Sequence, residues 1–179
     1  REYWTEYLGI AGNIGAFVEW LATKLPTLIA VVSSGSAERL RRMGVPDKRI
    51  VIVPNAISGA YIDGVSASSA DVDILFVGRL IAHKRADLVI DAVADIPDAT
   101  LRIVGSGPER ESLEQRAHEQ GCANRVVFAG DVAEHEAVIA LMKAAKVVAL
   151  PSEREGFGIA VAEALACGTP VVTSNHPDN

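Results

Sequence analysis

From Asp73 onward, short apolar runs alternate regularly with segments that have the apolar spacing of helices. Short runs that are apolar throughout are typical of strands buried on both faces of a parallel sheet. Parallel strands need crossover connections, which helices supply with a right-handed turn. The alternation therefore predicts an α/β fold with a Rossmann-like, doubly wound parallel sheet. Its predicted strands are Ile74–Val77, Leu101–Val104, Val126–Ala129, Val147–Leu150 and Pro170–Thr173, and its predicted helices are 84–94, 109–120, 134–144 and 158–167.

The first part of the chain predicts a smaller set of elements. Apolar residues at helical spacing predict an amphipathic helix over 10–25, ended by Pro26. We expect the apolar face of this helix to pack in a core or between domains. The other predicted elements are the strand Leu28–Val32, a helix from Ser33 to about Met43, and the strand Ile50–Val53.

A change in composition suggests a domain boundary. The segment Ser58–Asp71 is rich in Ser, Gly and Ala, which predicts a linker. We therefore assign residues 1–58 to the end of an N-terminal domain with the interdomain linker, and residues 59–179 to a second domain. The chain does not begin with Met, and it ends soon after a predicted strand. We expect a piece of a longer protein, truncated so that the second domain is incomplete at its C-terminus.

Composition and charge argue against several classes of protein. The formal net charge is −6 at pH 7, which is unfavourable for binding a nucleic-acid backbone. Cys122 and Cys167 lie far apart, and the four histidines have no ligand spacing, so we expect neither a disulfide framework nor a metal site. No apolar run approaches the roughly 20 residues that span a bilayer. We expect a packed domain in the cytoplasm.

The loop after the strand Ile74–Val77 carries two cations. Gly78 allows a tight turn at the strand end, and Arg79 and Lys84 follow five positions apart. A guanidinium group forks onto phosphate oxygens, and an ammonium group adds a mobile point charge. Open α/β sheets bind ligands at the carboxyl ends of their strands. We therefore predict that Arg79 and Lys84 hold a diphosphate, rather than being two solvated surface cations.

The loop after the strand Val147–Leu150 combines acids with glycines. Its glycines leave backbone N–H groups directed outward at a helix start, which attracts anions. Carboxylates accept hydrogen bonds from sugar hydroxyls. The anion site and the two carboxylates together suit a nucleotide sugar, which has an anionic middle and hydroxyl groups at both ends. We reject a glycosidase, which also uses two carboxylates, because these acids lie on a turn and a helix beside a phosphate-like site. The residues concerned are Glu155, Gly156, Phe157, Gly158 and Glu163.

A second glycine-rich loop invites a different interpretation. Gly105-Ser106-Gly107 matches the start of the dinucleotide fingerprint, but Arg110 stands where its third glycine belongs. The loop also does not follow the first strand of the domain. We therefore expect neither a nicotinamide site nor a flavin site.

Taken together, these motifs resemble the C-terminal half of retaining glycosyltransferases with the GT-B fold, of the family 4, group 1 type. Two upstream segments, Ala30–Ser33 and Val51–Ala56, resemble the end of that family's N-terminal domain. The other matching segments, in the family's order and spacing, are Phe76–Leu80 with Lys84, Ile103–Pro108, Phe128–Gly130, Pro151–Glu163 with its acids eight positions apart, and Ala166–Val172.

The resemblance implies transfer of a mannose-type or glucose-type hexose from a UDP-sugar or GDP-sugar, with retained anomeric configuration. The implied catalytic residues are Arg79 and Lys84 at the diphosphate and Glu155 at the sugar hydroxyls. Glu163 would bind the ribose, and the loop Gly130–Val132 would lie near the base. The full implied set of donor-binding residues is Gly78, Gly105, Val132, Gly156, Phe157, Gly158 and Glu163.

The resemblance also bears on cofactors and partners. It implies no metal and no cofactor besides the donor substrate. The acceptor would be a lipid-linked sugar, a polysaccharide or a small molecule, bound by the N-terminal domain. Any membrane contact would be peripheral, at the cytoplasmic face, and made by that domain. We expect an isolated fragment to bind the donor weakly and to transfer nothing.

Two departures from the family pattern and three alternatives remain. Arg85 stands where the family usually has Gly after the loop lysine, and Pro54-Asn55-Ala56 stands where Pro-Asn-Gly is usual. A nucleotide-sugar-binding module without catalysis is one alternative, and a sugar-nucleotide epimerase of the same fold is another. A pyridoxal-dependent phosphorylase would need a lysine that the loop Pro151–Gly158 and its helix do not contain.

Overall fold

A computed structural model describes Trp4 and residues 9–175. The chain divides into two compact units between Asn55 and Ala56. Each unit contains its own parallel strands. None of the helices in the described part of the chain is long and apolar enough to cross a membrane.

The first unit contains two short parallel strands and two helices. A 3₁₀ turn, Gly9–Ala11, leads into α1, Gly12–Ala22. Strand β1, Ile29–Val31, pairs with β2, Ile50–Ile52. Between them lie α2, Ser34–Arg42, and a 3₁₀ turn, Asp47–Arg49.

Helix α1 is shorter than its sequence pattern predicts. It ends at Ala22, four residues before Pro26, where the Thr23 hydroxyl donates a hydrogen bond to the carbonyl of Trp20 (2.7 Å). Its large apolar residues are not buried in the described part of the first unit: Ile14 is 69% exposed, and Phe17 is also more than half exposed. The predicted packing of this face therefore stays a prediction.

The second unit is built on a five-stranded parallel sheet of order β5-β4-β3-β6-β7. Strand order reverses at β3, whose neighbours are β4 and β6. The pattern confirms the predicted α/β class and places each predicted strand within two residues. The strands are β3, Val72–Val77; β4, Leu101–Val104; β5, Val126–Gly130; β6, Ala145–Leu150; and β7, Val171–Thr173.

The helices of this sheet form two layers. Helices α4, Ala86–Asp95, and α5, Arg110–Glu119, contact each other, as do α6, His135–Ala144, and α7, Ile159–Ala166. The chain moves one way along the sheet before β5 and the other way after it, so right-handed crossovers place the two helix pairs on opposite faces. Central strands covered on both faces explain why Leu75, Phe76, Ile103 and Val148 are fully buried.

The linker predicted for Ser58–Asp71 is wrong in its first half. Residues Gly59–Gly64 form helix α3, with the Ser58 hydroxyl accepting a hydrogen bond from the N–H of Tyr61. Ile62 and Val65 are buried in the core of the second unit. Burial of Ile62 and Val65 anchors a segment that is otherwise rich in Ser, Gly and Ala.

Candidate functional site

The loops after β3 and β6 meet at the carboxyl edge of the sheet, where the strand order reverses. This is where open α/β sheets form a binding crevice. The N–H of Glu153 donates to the carbonyl of His83 (2.8 Å), so the two loops are joined through their backbones. Two side-chain contacts reinforce the junction. Predicted site residues that lie about 70 positions apart in the chain are thereby neighbours in space.

Lys84 and Glu155 form an ion pair across this junction. Lys84 Nζ lies 2.5 Å from Glu155 Oε1, and the side chains are only 20% and 25% exposed. A charge held so far out of water requires a partner, and each residue supplies one for the other. The ammonium keeps further donors and the carboxylate a second oxygen, so both can also contact a ligand.

Charged side chains of both signs act on His83 in the loop after β3. Burial, followed by the positive charges of Arg154, Lys84 and Arg79, lowers the pKa of His83 below its ordinary value, while Glu155 opposes the shift. Burial and three neighbouring cations thus disfavour the charged form of the His83 imidazole, and one carboxylate favours it. Arg154 was missed by the sequence analysis, although its position between Glu153 and Glu155 was a signal.

Arg79 lies in this field but is not brought into contact with Lys84. Its side chain is exposed, and no ion pair joins it to another residue in the described part of the chain. The next residue, Leu80, is buried, and its N–H and carbonyl both bond to the loop after β4. The backbone that carries Arg79 is therefore fixed, while its guanidinium group extends into solvent.

The loops after β3, β4 and β5 lie against one another. A Cβ atom at Gly105 would fall 2.0 Å from the carbonyl oxygen of Gly78, so no other residue fits there without a backbone shift. The N–H of Gly105 donates to the carbonyl of Gly130 (2.8 Å). Val132, two residues further on, packs its side chain partly against the core. The structure thus brings the predicted residues Gly78, Gly105 and Val132 to one edge.

Helix α7 begins four residues after Glu155. Gly158 adopts the left-handed conformation (φ 73°, ψ 52°) at its N-cap, which glycine reaches without steric cost. Gly156 is exposed and Phe157 is half-buried. The first N–H groups of a helix lack intrahelical acceptors, so this end attracts negative charge.

Glu163, in the middle of α7, contacts a residue that the sequence analysis did not single out. Its side chain is 13% exposed, and His135 Nε2 lies 2.8 Å from its Oε1. A carboxylate only accepts, so Nε2 carries the hydrogen. The ring of His135 stacks on that of Tyr61, with centroids 5.7 Å apart. His135 begins α6 on the carboxyl side of the sheet. Its place shortly after the strand Val126–Gly130 could have marked it in the sequence as a candidate site residue.

The described residues contain no group of three or more His, Cys, Asp or Glu side chains that could hold a metal ion. The site is built instead from cations, two acids and a helix start.

Comparison with known proteins decides the family. Residues 63–179 match the family described as Glycosyl transferases group 1. The chain belongs to this family. The predicted resemblance is thereby confirmed.

Curated relatives agree with this assignment. The chain is 32% identical over 175 residues to an uncharacterised glycosyltransferase of Methanocaldococcus jannaschii, covering 88% of this chain and 45% of the relative. It is 38% identical over 112 residues to a GDP-mannose-dependent α-(1-6)-phosphatidylinositol dimannoside mannosyltransferase of Mycobacterium tuberculosis, covering 60% and 28% respectively. The chain thus spans less than half the length of these two relatives.

Solved structures place the chain among GT-B glycosyltransferases, which confirms the predicted fold. Anabaena HepE in complex with UDP and glucose matches with a TM-score of 0.77 and 27% identity, over 92% of this chain and 48% of that protein. Sucrose-phosphate synthase from Thermosynechococcus elongatus matches with a TM-score of 0.79 and 26% identity, over 96% and 47%.

Proposed function

We propose that the intact protein is a retaining hexosyltransferase and that its second unit binds the nucleotide-sugar donor. The observation that carries this proposal is the junction of the loops after β3 and β6 at the carboxyl edge of the sheet, where Lys84 pairs with Glu155 and the charges of Arg79 and Arg154 act on His83. A protein with a formal net charge of −6 that gathers cations at the ligand-binding edge of its sheet is suited to an anionic ligand there.

The donor's diphosphate would be bound by Arg79, Lys84 and the start of α7. Arg79 extends into solvent and can turn toward a phosphate. Lys84 can share its ammonium group between Glu155 and a phosphate oxygen. The backbone N–H groups of Gly156, Phe157 and Gly158 would add their partial charge. These groups would neutralise the leaving diphosphate without a metal ion, which is electrostatic stabilisation by preorganised groups.

The two acids would bind the hydroxyl-bearing ends of the donor. Glu155 would accept hydrogen bonds from the transferred sugar. Glu163 would accept them from the ribose with the oxygen that His135 does not contact, so His135 would orient the carboxylate. Gly78, Gly105 and Val132 would line the edge where the base lies.

Two relatives suggest donors to test first. The Anabaena structure contains UDP and glucose, and the mycobacterial relative is named for GDP-mannose. We therefore propose UDP-glucose and GDP-mannose as the first donors. The acceptor is proposed to be a lipid-linked sugar, a polysaccharide or a small molecule, bound by the part of the protein outside the second unit. Location in the cytoplasm, with peripheral contact at the membrane face, belongs to the same proposal.

The test is donor turnover and nucleotide binding by the intact protein and three variants. Arg79→Ala and Lys84→Ala remove the proposed diphosphate cations, and each should lower kcat/KM on the order of 10²–10³-fold. Lys146→Ala is the matched control, because Lys146 also pairs with a carboxylate at 2.5 Å but lies at the other end of the sheet, next to Asp73. It should leave turnover unchanged.

Calorimetry with UDP and GDP separates binding from transfer. Binding of one nucleotide together with turnover supports the proposal. Binding with no transfer to any acceptor class would instead support a binding module without catalysis. Near-normal turnover in both Arg79→Ala and Lys84→Ala would refute the proposed role of the cations.

A further inference from the structure

Arg85 has a backbone conformation that its residue type disfavours. It lies between the 3₁₀ turn Ala82–Lys84 and helix α4, with φ 52° and ψ 41°, in the left-handed region. Among the described residues, Asp98 is the only other non-glycine residue with positive φ. An L-residue with a Cβ atom is strained in this region, whereas glycine is not. Glycine would relieve this strain, but it could not make the contacts that the arginine side chain makes.

The side chain of Arg85 is held on two sides. Arg85 Nε and Nη2 each lie 3.0 Å from an oxygen of Asp87, in the first turn of α4. Arg85 Nη1 lies 2.7 Å from Oε1 of Glu153, in the loop after β6. A planar guanidinium group bound in this way has little freedom, since the two-pronged contact fixes its plane. Arg85 therefore links the start of α4 to the loop after β6.

This link lies next to the reactive part of the site. Three consecutive residues, His83, Lys84 and Arg85, all bind the loop after β6: the first two contact Glu153 N–H and Glu155, and Arg85 contacts the Glu153 carboxylate. Glu153 is two residues from Glu155. A contact that fixes Glu153 therefore also limits where the Glu155 carboxylate can lie.

We propose that Arg85 is a positioning residue, which braces the loop after β6 so that Lys84 and Glu155 face a bound donor at a fixed separation. The inference rests on the proposed donor site. It goes further by assigning a role to a residue that touches no part of the donor. Arg85 acts on the donor only through Glu153 and Lys84, and a glycine at this position could not form the brace.

The test compares Arg85→Gly with Asp98→Gly in the intact protein. Both substitutions remove the backbone strain of a non-glycine residue with positive φ. Asp98, however, is exposed and lies after α4, outside the site. Arg85→Gly should raise the KM for the donor and weaken UDP or GDP binding on the order of tenfold, because the misplaced groups no longer meet the ligand together. Its thermal midpoint should change little, since the relieved strain offsets the lost ion pairs. Asp98→Gly should change neither KM nor affinity.

A double-mutant cycle identifies the partner. Glu153→Ala removes the same contact from the other side, so it should reproduce the rise in KM. The combination Arg85→Gly with Glu153→Ala should raise KM no further than Arg85→Gly alone, because the contact with Glu153 is already lost in that variant. Arg85→Lys keeps the charge and should recover part of the affinity.

The outcomes separate this inference from the proposed function. If the unchanged protein binds neither UDP nor GDP, the donor site itself is wrong. If it binds a nucleotide and Arg85→Gly binds that nucleotide equally well with an unchanged KM, the positioning role is wrong. A lower thermal midpoint with unchanged KM would assign Arg85 to stability alone, and additive losses in the cycle would refute the brace through Glu153.

Discussion

Individual glycines determine how closely the loops of the site can lie. Gly105 places its Cα so near the carbonyl of Gly78 that even a methyl group would overlap that oxygen. The neighbouring atoms are backbone, so they cannot turn away as a side chain could. Close contact between the loops after β3 and β4 therefore depends on the absence of one side chain, and this contact fixes the backbone that carries Arg79.

Gly105→Ala should destabilise the protein by more than about 2 kcal/mol, because the clash forces a backbone shift. Gly121→Ala is the matched control, since Gly121 also has a positive φ but has no atom within 4 Å of its would-be Cβ. The control should cost roughly 1–2 kcal/mol from backbone conformation alone. Denaturant unfolding of the two variants measures the difference. Equal losses in the free energy of unfolding would show that the backbone at Gly78 moves aside at little cost.

At the scale of strands and helices, one carboxylate joins three strands at the edge opposite the site. Asp73 in β3 accepts hydrogen bonds from the N–H and hydroxyl of Thr100, just before β4, at 2.9 Å and 2.7 Å. It also pairs with Lys146 in β6 at 2.5 Å. These contacts lower the pKa of Asp73 to about 2, with the hydrogen bond from Lys146 as the largest cause. The central strands are thus held in register at their starts by an ionised group.

This low pKa predicts how stability depends on pH. The folded pKa lies below the ordinary value of 3.8, so the stabilisation is complete above about pH 4 and is lost as the pH falls toward 2. Asp73→Asn removes the titrating group, so the free energy of unfolding should fall less steeply between pH 4 and pH 2. Urea unfolding across that range measures the slope. Asp95→Asn, which removes an exposed carboxylate at the end of α4, should leave the slope unchanged.

At the scale of the whole molecule, the net charge differs from the local charge around the site. The chain has 23 acidic and 17 basic side chains, yet three cations and one carboxylate act on His83 in the second unit. The net charge of −6 disfavours the binding of polyanions such as nucleic acids. A locally positive crevice still attracts a small anion whose charge is concentrated within a few ångströms.

Salt should therefore weaken the binding of the diphosphate but not of the nucleoside. Raising NaCl from about 20 mM to about 500 mM shortens the screening length to a few ångströms. The Kd of UDP or GDP, whichever binds, should rise several-fold, as measured by calorimetry. The corresponding nucleoside lacks the phosphates and is the control, whose Kd should stay nearly constant. A salt-independent diphosphate affinity would contradict an electrostatic site.

Much of the second unit could be predicted from sequence because its strands are apolar throughout. Strands buried on both faces leave a strong local signal, and glycines and prolines mark their ends. Helix α3 could not be predicted in this way, since Ile62 and Val65 are the only buried apolar residues in a segment rich in Ser, Gly and Ala, and two positions do not establish a helical period. Positions of Lys84 and Glu155 could be predicted, because each follows a strand. Their pairing, and the contact of Glu163 with His135, depend on which strands and helices become neighbours, which no local pattern records.

The ion pair between Lys84 and Glu155 has a consequence for selectivity. Free phosphate and other small anions are abundant competitors for any exposed lysine. Here an anion that draws Lys84 away leaves Glu155 poorly solvated and without its cation, so an anion alone gains little. A ligand that brings hydroxyl groups as well as phosphate can satisfy both partners at once. The pair would therefore lower the affinity of the site for simple anions relative to molecules in which sugar and phosphate are joined.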